Sequence, residues 1–289
     1  MVAGDCMTTH PRAPGRRGPA QAGARGTARP PAPRGALRTL RGMEGRWLDL
    51  DGAVNARVLG DGLVRADNLQ DLSDADVRAL VERERVGLVV DLRTEYEVAA
   101  EGPGPLTRER RVEIEHFSLH PETGGGTDLD ASTVEPWPVD DDGQDPDEPP
   151  TVRAYLGYLR DRPESVAAAV RAIARAPDGV LVHCAAGKDR TGVVVALSLE
   201  AAGVPRDDVV ADYLRTSERI EAIVARLAAS PTYAGEVDPA HAQRHAPKPG
   251  TMERLLALLD ERHGGAEEWL LAHGLAEDDL ARLRARLGP

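Results

Sequence analysis

Residues 183–192 read His-Cys-Ala-Ala-Gly-Lys-Asp-Arg-Thr-Gly, and this stretch constrains the fold more than any other part of the chain. The apolar run at 180–182 before it predicts a short buried strand, and the apolar residues within 191–202 predict a helix after it. The stretch is therefore predicted to be a loop between the carboxyl end of a strand and the amino end of a helix. Unpaired backbone N–H groups and the helix dipole favour an anion at that position.

Cys184 and Arg190 have the spacing that covalent phosphoryl transfer needs. A cysteine at the base of such a loop becomes a thiolate, because N–H dipoles and a nearby guanidinium lower its pKa. Arg190, six positions later, offers two N–H groups to two phosphoryl oxygens, and the Thr191 hydroxyl is placed to bond the cysteine sulfur. The pattern predicts a cysteine-dependent phosphatase with Cys184 as nucleophile and a phosphocysteine intermediate.

The remaining loop residues are assigned to phosphate binding and to shaping the loop. His183 is expected to orient the loop through hydrogen bonds. Asp189 is read either as an acid or water-positioning base, or as a buried residue that shapes the loop. Lys188 is either a second cation for highly charged substrates or a residue that faces solvent. The predicted phosphate ligands are Ala185, Ala186, Gly187, Lys188 and Arg190, through the backbone N–H groups of the loop and the cationic side chains of the last two.

A leaving alkoxide or phenolate needs a proton from a general acid, which must come from another segment. Glu122 is the candidate for this acid. Asp128 and Asp130, in the same predicted loop, are two further candidates. The alternative for each of the three is an ordinary surface carboxylate.

The chain of 289 residues carries a formal net charge of −12 that is unevenly distributed. Eight arginines against Asp5 and Glu44 give residues 1–44 a charge of +6, which leaves −18 for the rest. An acidic body argues against nucleic acid as a partner, because a phosphate backbone binds to a basic surface. Attraction for a phosphorylated substrate must therefore be local to the loop.

The sequence contains two cysteines, Cys6 and Cys184, and no structural disulfide is expected. No apolar run approaches the roughly 18 residues that span a bilayer, and no signal-peptide pattern is present. These features predict a cytoplasmic protein without a transmembrane segment. Export without a recognisable signal stays open.

Two segments differ in composition from the rest. Residues 1–44 are rich in Pro, Gly and Arg and are predicted to be a disordered basic leader, with Met43 as an alternative start. Residues 45–289 are predicted to form one phosphatase domain. Within it, 120–150 is predicted to be a flexible acidic loop, because nine acidic residues and no basic ones lie between Asp128 and Glu148.

Periodicity and capping signals predict an α/β fold. Strands are expected at 86–92, 112–116 and 180–182, with Asp91 and Arg93 forming an ion pair at the end of the first. Helices are expected to begin at Ser73, Thr151 and Pro163, the first of them ending at Gly87, and the chain beyond 206 is expected to be mainly helical. We therefore predict a central, mostly parallel sheet flanked by helices, with a helical C-terminal layer.

The loop from His183 to Gly192 resembles that of the bacterial tyrosine-phosphatase family typified by mycobacterial protein tyrosine phosphatase B. That family carries His-Cys-x-x-Gly-Lys-Asp-Arg-Thr-Gly at this place. The likeness covers roughly residues 45–289. It extends to Gly-Ala-Val-Asn-Ala-Arg at 52–57, Asp-Leu-Arg at 91–93 with Glu97, Ala-Asp-Tyr-Leu-Arg at 211–215 and the helical end at 269–287.

The resemblance implies a cysteine-phosphatase fold, no metal or other cofactor, and a mobile lid over the site. It also implies phosphotyrosine proteins as substrates, with tolerance for phosphoserine, phosphothreonine and phosphoinositides. Two departures stand out. The family's Asn-Phe-Arg-Asp is Asn-Ala-Arg-Val at 55–58, and its Pro-Phe-Pro before the acid is Ser-Leu-His-Pro at 118–121, followed by Glu122.

Two other functions are compatible with an anion loop that contains a cysteine. The first is a phospho-binding module without turnover, which measurable hydrolysis would exclude. The second is a rhodanese-like sulfurtransferase, which the spacing of Arg190 and Thr191 disfavours. His241 and His245 lie four residues apart, but flanking prolines and the missing glutamate favour an exposed pair over a zinc site.

Overall fold

A six-stranded sheet positions the predicted loop in the computed structural model, which describes residues 45–121 and 148–289. The strand order is β1-β2-β3-β6-β4-β5. The pairs β1–β2 and β2–β3 are antiparallel, whereas the pairs β3–β6, β6–β4 and β4–β5 are parallel. The strands are β1 Arg46–Trp47, β2 Arg57–Leu59, β3 Leu63–Ala66, β4 Val86–Asp91, β5 Glu113–His116 and β6 Gly179–His183.

Helices cover the sheet and form the C-terminal layer. They are α1 Asp74–Arg78, α2 Glu95–Glu101, α3 Pro150–Asp161, α4 Pro163–Arg175, α5 Asp189–Ala201, α6 Arg206–Arg215, α7 Ile220–Ala229, α8 Thr251–His263, α9 Ala266–Ala272 and α10 Glu277–Leu287. Short 3-10 turns occupy Pro105–Arg108, Thr216–Arg219 and Pro239–His245. The predicted α/β class, with a mostly parallel sheet and a helical end, is confirmed.

Two predicted helix boundaries are wrong. Helix α3 begins at Pro150, after Pro149, and Thr151 lies inside its first turn. Proline suits that position because its missing N–H has no partner there in any case. Gly87 does not end the first helix but lies within β4. The chain instead turns at Arg85, which adopts a positive φ of 57°.

The alternation of side chains along β6 divides the core into two layers. Val180 and Val182 pack with α4, α5 and the C-terminal helices, whereas Leu181 faces the smaller cluster beneath α1. Helix α5 runs through the larger layer and is buried over nearly its whole length. This burial explains why its sequence is apolar on every side. Within the described residues, no helix is long and apolar enough to cross a membrane.

The carboxyl ends of the parallel strands meet at one edge of the sheet. His183 at the end of β6 lies in register with Ala66 of β3 and with Asp91 of β4. Asp91 in turn lies in register with His116 of β5. Loops that leave this edge therefore converge, which is where α/β sheets place their ligands.

Candidate active site

The loop that follows β6 holds Cys184 at the carboxyl edge of the sheet. Cys184 is a fully buried free thiol, and helix α5 begins five residues later at Asp189. Gly187 adopts a φ of +66°, and a Cβ there would lie 2.4 Å from the carbonyl oxygen of Ala66. Only glycine fits this turn, because a side chain would collide with the backbone of β3.

Three successive carbonyl oxygens of the loop are bound from outside it. The Asn68 N–H donates to Ala185 O at 2.9 Å, and Asn55 Nδ2 donates to Ala186 O at 2.9 Å. Arg65 Nη2 donates to Gly187 O at 2.7 Å. In a trans peptide unit the N–H points away from the preceding carbonyl. The N–H groups of residues 186–188 are therefore directed toward the loop interior.

A cluster of buried charged side chains holds Arg65, one of these donors, beneath the loop. Arg57 Nε and Arg65 Nη1 contact the two oxygens of Asp212, on α6, at 2.6 and 2.5 Å. Burial and the charge of Arg65 lower the pKa of Arg57 to about 10, so Arg57 stays charged at neutral pH. Burial opposes ionisation of Asp212, but the two guanidiniums bring its pKa below the usual value. One carboxylate thus balances two buried cations.

Asp212→Ala is expected to reduce the free energy of unfolding by about 3–5 kcal/mol, because it leaves two guanidiniums buried without their carboxylate. Urea denaturation at neutral pH measures this loss. Asp207→Ala, an exposed position on the same helix, is the control and should cost less than about 0.5 kcal/mol. Equal losses in the two variants would contradict this account.

Glu97 holds the guanidinium of Arg190. Arg190 Nη1 and Nη2 donate to the two oxygens of Glu97 at 2.6 and 3.0 Å, and both side chains are fully buried. Glu97 is also part of the capping box of α2, where it accepts from the Thr94 N–H at 2.7 Å. The same carboxylate therefore starts α2 and orients Arg190. Sequence reasoning noted Glu97 only within the family resemblance, although Thr-x-x-Glu is itself a helix-start signal.

His183 lies between the loop and the end of β4. Its Nδ1 is 3.3 Å from Cys184 O, and its Nε2 is 3.6 Å from Asp91. Asp91 forms the predicted buried ion pair with Arg93, at 2.7 Å. Burial lowers the pKa of His183 to about 4 even though Asp91 opposes this shift. The imidazole is therefore neutral and a weak base at neutral pH, which suits a positioning role.

Asp189 and Lys188 make contacts that shape the loop. Tyr155 Oη donates to Asp189 at 2.6 Å and lies 2.8 Å from Tyr213 Oη. Lys188 Nζ donates to the backbone of His245 at 2.7 Å and lies 3.4 Å from Asp189. Burial and the Asp189 charge raise the pKa of Tyr155, so its hydroxyl keeps the proton that it donates.

The structure describes Thr191 but not Glu122. The Thr191 hydroxyl is fully buried and has no hydrogen-bond partner among residues 45–121 and 148–289. The hydrogen bond from this hydroxyl to the Cys184 sulfur that the sequence predicts is therefore not formed in this conformation. Glu122, Asp128 and Asp130 lie outside the described residues, as do most of the predicted acidic loop and the whole leader.

Helix α7 and Tyr233 cover the loop, a feature that sequence reasoning missed. The space left between them and residues such as Ala186 and Lys188 is about 20 Å³, room for one water molecule. Tyr233 Oη donates to Glu97 and accepts from Arg190 Nη2 at 3.4 Å. Ile223 and Leu227 pack on the same space. These side chains therefore leave little space beside Ala185, Ala186 and Lys188 of the loop.

Leu227→Ala is expected to raise the rate at which iodoacetamide alkylates Cys184 by about tenfold. The change removes buried apolar contacts that hold α7 closed, and such contacts are worth about 2–5 kcal/mol. Mass spectrometry of the labelled peptide measures the rate. Ala225→Ser, an exposed position on the same helix, is the control. Equal rates in both variants would show that α7 does not control access.

Comparisons with known proteins identify the family of the chain. A model of the tyrosine phosphatase family matches residues 48–288. TpbA of P. aeruginosa, a solved structure, aligns with a TM-score of 0.33 and 17% identity over 70% of this chain and 94% of that one. "Triple specificity protein phosphatase PtpB" of Mycobacterium tuberculosis is 34% identical over 202 residues, covering 65% of this chain and 73% of that protein. "Tyrosine-protein phosphatase" of Nostoc commune is 32% identical over 237 residues, covering 79% and 74%. Because the family model spans most of the chain and these relatives share about a third of their residues with it, the chain belongs to the tyrosine phosphatase family.

Proposed function

We propose that this phosphatase hydrolyses phosphotyrosine in proteins through a phosphocysteine on Cys184, in a reducing cytoplasm and without a metal or other cofactor. The observation that carries the proposal is the arrangement around the loop. A buried thiol lies at its base, and donors outside the loop bind three of its carbonyl oxygens. Glu97 orients the guanidinium of Arg190. This arrangement suits a trigonal phosphoryl group with three oxygens.

In the first step the Cys184 thiolate attacks phosphorus, and the bond from phosphorus to the substrate oxygen breaks. The N–H groups of the loop and the two Nη atoms of Arg190 donate hydrogen bonds to the three other oxygens of the phosphoryl group as negative charge develops on them. A general acid gives its proton to the leaving oxygen. Glu122 is the proposed acid, because it follows the segment that leaves the carboxyl end of β5.

In the second step water attacks the phosphocysteine, and the electron pair of the S–P bond returns to sulfur. A hydroxyl that donates to this sulfur stabilises the departing thiolate. Thr191 supplies the hydroxyl in our proposal, because its buried oxygen has no hydrogen-bond partner in the described part of the chain. Asp189 is assigned to shaping the loop, since Tyr155 already occupies one of its oxygens.

We further propose tolerance for phosphoserine, phosphothreonine and phosphoinositides. The support is Lys188, a cation at the rim of the loop that the family resemblance marks as distinctive, together with the triple specificity in the name of the mycobacterial relative. A phospho-binding module remains the alternative, and turnover excludes it. The family match favours phosphate ester hydrolysis over sulfur transfer.

Cys184→Ser is expected to lower kcat on a phosphotyrosine peptide by about 10³-fold or more while phosphate binding persists. Arg190→Ala is expected to lose both turnover and binding, with kcat reduced by about 10²–10³-fold. Steady-state assays with EDTA present and calorimetric titration of phosphate measure these effects. Cys6→Ser is the matched control and should behave as wild type. Turnover that survives in Cys184→Ser, or that EDTA abolishes, would overturn the mechanism.

Glu122→Gln is expected to lower kcat on phosphoserine peptides by about 10²-fold, and much less on aryl phosphates, because a phenolate leaves with less need of a proton. Rates on the two substrate classes, measured side by side, give the comparison. Asp145→Asn, a carboxylate of the same acidic segment that is not a candidate acid, serves as the control. An unchanged rate on phosphoserine would remove Glu122 from the mechanism.

A further inference from the structure

A second cavity, of about 330 Å³, lies beside the catalytic loop. Ala185, Ile223 and Leu227 line both this cavity and the small space over the loop. The two spaces are therefore separated only by the apolar edge of α7 and by the residue after Cys184. A group bound in the larger cavity lies within reach of a ligand on the loop, and the volume falls at the lower end of the range for ligand sites.

The polar lining of this cavity is rich in hydrogen-bond acceptors and negative charge. Three carboxylates line it, those of Asp67, Asp71 and Glu101, against one lining cation, Arg226. A second guanidinium, that of Arg93, lies 3.5 Å from Glu101 Oε2. Burial raises the pKa of Asp67 even with Arg226 beside it. Three carboxylates beside two guanidiniums leave a formal excess of one negative charge.

Two acceptor atoms of residues that line the cavity lack a donor, and one donor atom, Arg226 Nε, lacks a hydrogen-bond acceptor within the described residues. The Glu101 side chain is 3% exposed, and its Oε2 accepts from Asn68 Nδ2 at 2.5 Å. Its Oε1 is buried and has no hydrogen-bond partner within the described residues. Gln70 donates to Gly102 O at 2.6 Å, but its own oxygen is likewise buried without a donor in that part of the chain. Buried acceptors without donors cost free energy, so the cavity favours a ligand that supplies N–H groups.

The contacts of Arg226 indicate which kind of group this cavity binds. Its guanidinium lies 3.3 Å from Asp67 and 3.4 Å from Asp71, and it donates to Asn68 O at 3.0 Å. Arg226 belongs to α7, whose residues line both this cavity and the space over the loop. When α7 moves, Arg226 moves with it, and the carboxylates of residues 67–71 lose their internal guanidinium. A second guanidinium or an ammonium, supplied by the substrate, restores the contact.

We propose that this cavity is a subsite for a basic side chain, Arg or Lys, located one or two residues from the phosphotyrosine of a protein substrate. The assignment rests on the proposed phosphatase function and narrows its substrate class. A cationic, N–H-donating group satisfies the unpartnered oxygens of Glu101 and Gln70 and neutralises the carboxylates. A second phosphate, as in a phosphoinositide, would be repelled by the same carboxylates.

The test uses phosphotyrosine peptides with a single arginine at position −2, −1, +1 or +2, each paired with the same peptide carrying citrulline, its neutral isostere. At the position that fits, wild-type kcat/KM is expected to be about tenfold higher for arginine. This preference should shrink as salt is raised from 50 to 500 mM, because the interaction is between charges. A ratio below about twofold at every position would overturn the proposal.

Glu101→Gln keeps the shape of the side chain and removes its charge, and it is expected to lower the arginine-to-citrulline ratio to within about twofold. Since the ratio is taken within one variant, a general loss of catalysis cancels from it. Asp71→Asn carries the test if Glu101→Gln proves unfolded by circular dichroism, because Asp71 is 77% exposed. Asp74→Asn, an exposed carboxylate that does not line the cavity, is the control and should keep the wild-type ratio.

Failure of the subsite and failure of the proposed function are distinguishable. Wild-type turnover of p-nitrophenyl phosphate, which has no flanking residue, tests the phosphatase alone. Turnover of this substrate without any arginine preference would refute the subsite and leave the function standing. A preference that persists unchanged in both Glu101→Gln and Asp71→Asn would also refute it, as would faster hydrolysis of a phosphoinositide than of every arginine peptide.

Discussion

The catalytic loop depends on hydrogen bonds that hold its carbonyl oxygens outward. Asn55, Arg65 and Asn68 donate to three successive carbonyls, and this leaves the following N–H groups for an anion. A loop so short would otherwise turn some carbonyls toward the phosphate and repel it. Two buried cations are part of this scaffold, and they are tolerable only because Asp212 reaches them from α6.

Glu97 connects helix α2 to the guanidinium of Arg190. Its carboxylate caps α2, holds the fork of Arg190 and accepts from Tyr233. Tyr233 thus places a phenolic oxygen beside the same guanidinium that is proposed to clamp the substrate. A substrate oxygen that takes the place of either contact to Arg190 therefore competes with a hydrogen bond inside the chain. The free energy of breaking that hydrogen bond reduces the apparent affinity for such a substrate.

The sequence predicts the local features of this molecule and misses those made at a distance. The loop at 183–192, the capping box at Ser73 and the strand at 86–92 each follow from neighbouring residues, and the structure contains all three. The pairing of Arg57 with Asp212 joins residues 155 apart, and that of Arg190 with Glu97 joins residues 93 apart. No periodicity or spacing encodes such pairs, because the sheet order alone brings them together. The cover by α7 was missed for the same reason, since its apolar face looks like that of any packed helix.

The uneven charge of the site bears on substrate choice. The formal charge of the whole chain is −12. Lys188 and Arg190 place two cations on the catalytic loop, each beside a carboxylate, whereas three carboxylates and one guanidinium line the neighbouring cavity. A protein with this overall charge does not attract polyanions over long distances, so its substrates must be recognised at close range. A substrate that presents a phosphate next to a cation complements both regions at once. Inositol polyphosphates complement the catalytic loop but not the acidic cavity. The cavity therefore provides, in our proposal, a specificity for the substrate that the loop motif alone does not provide.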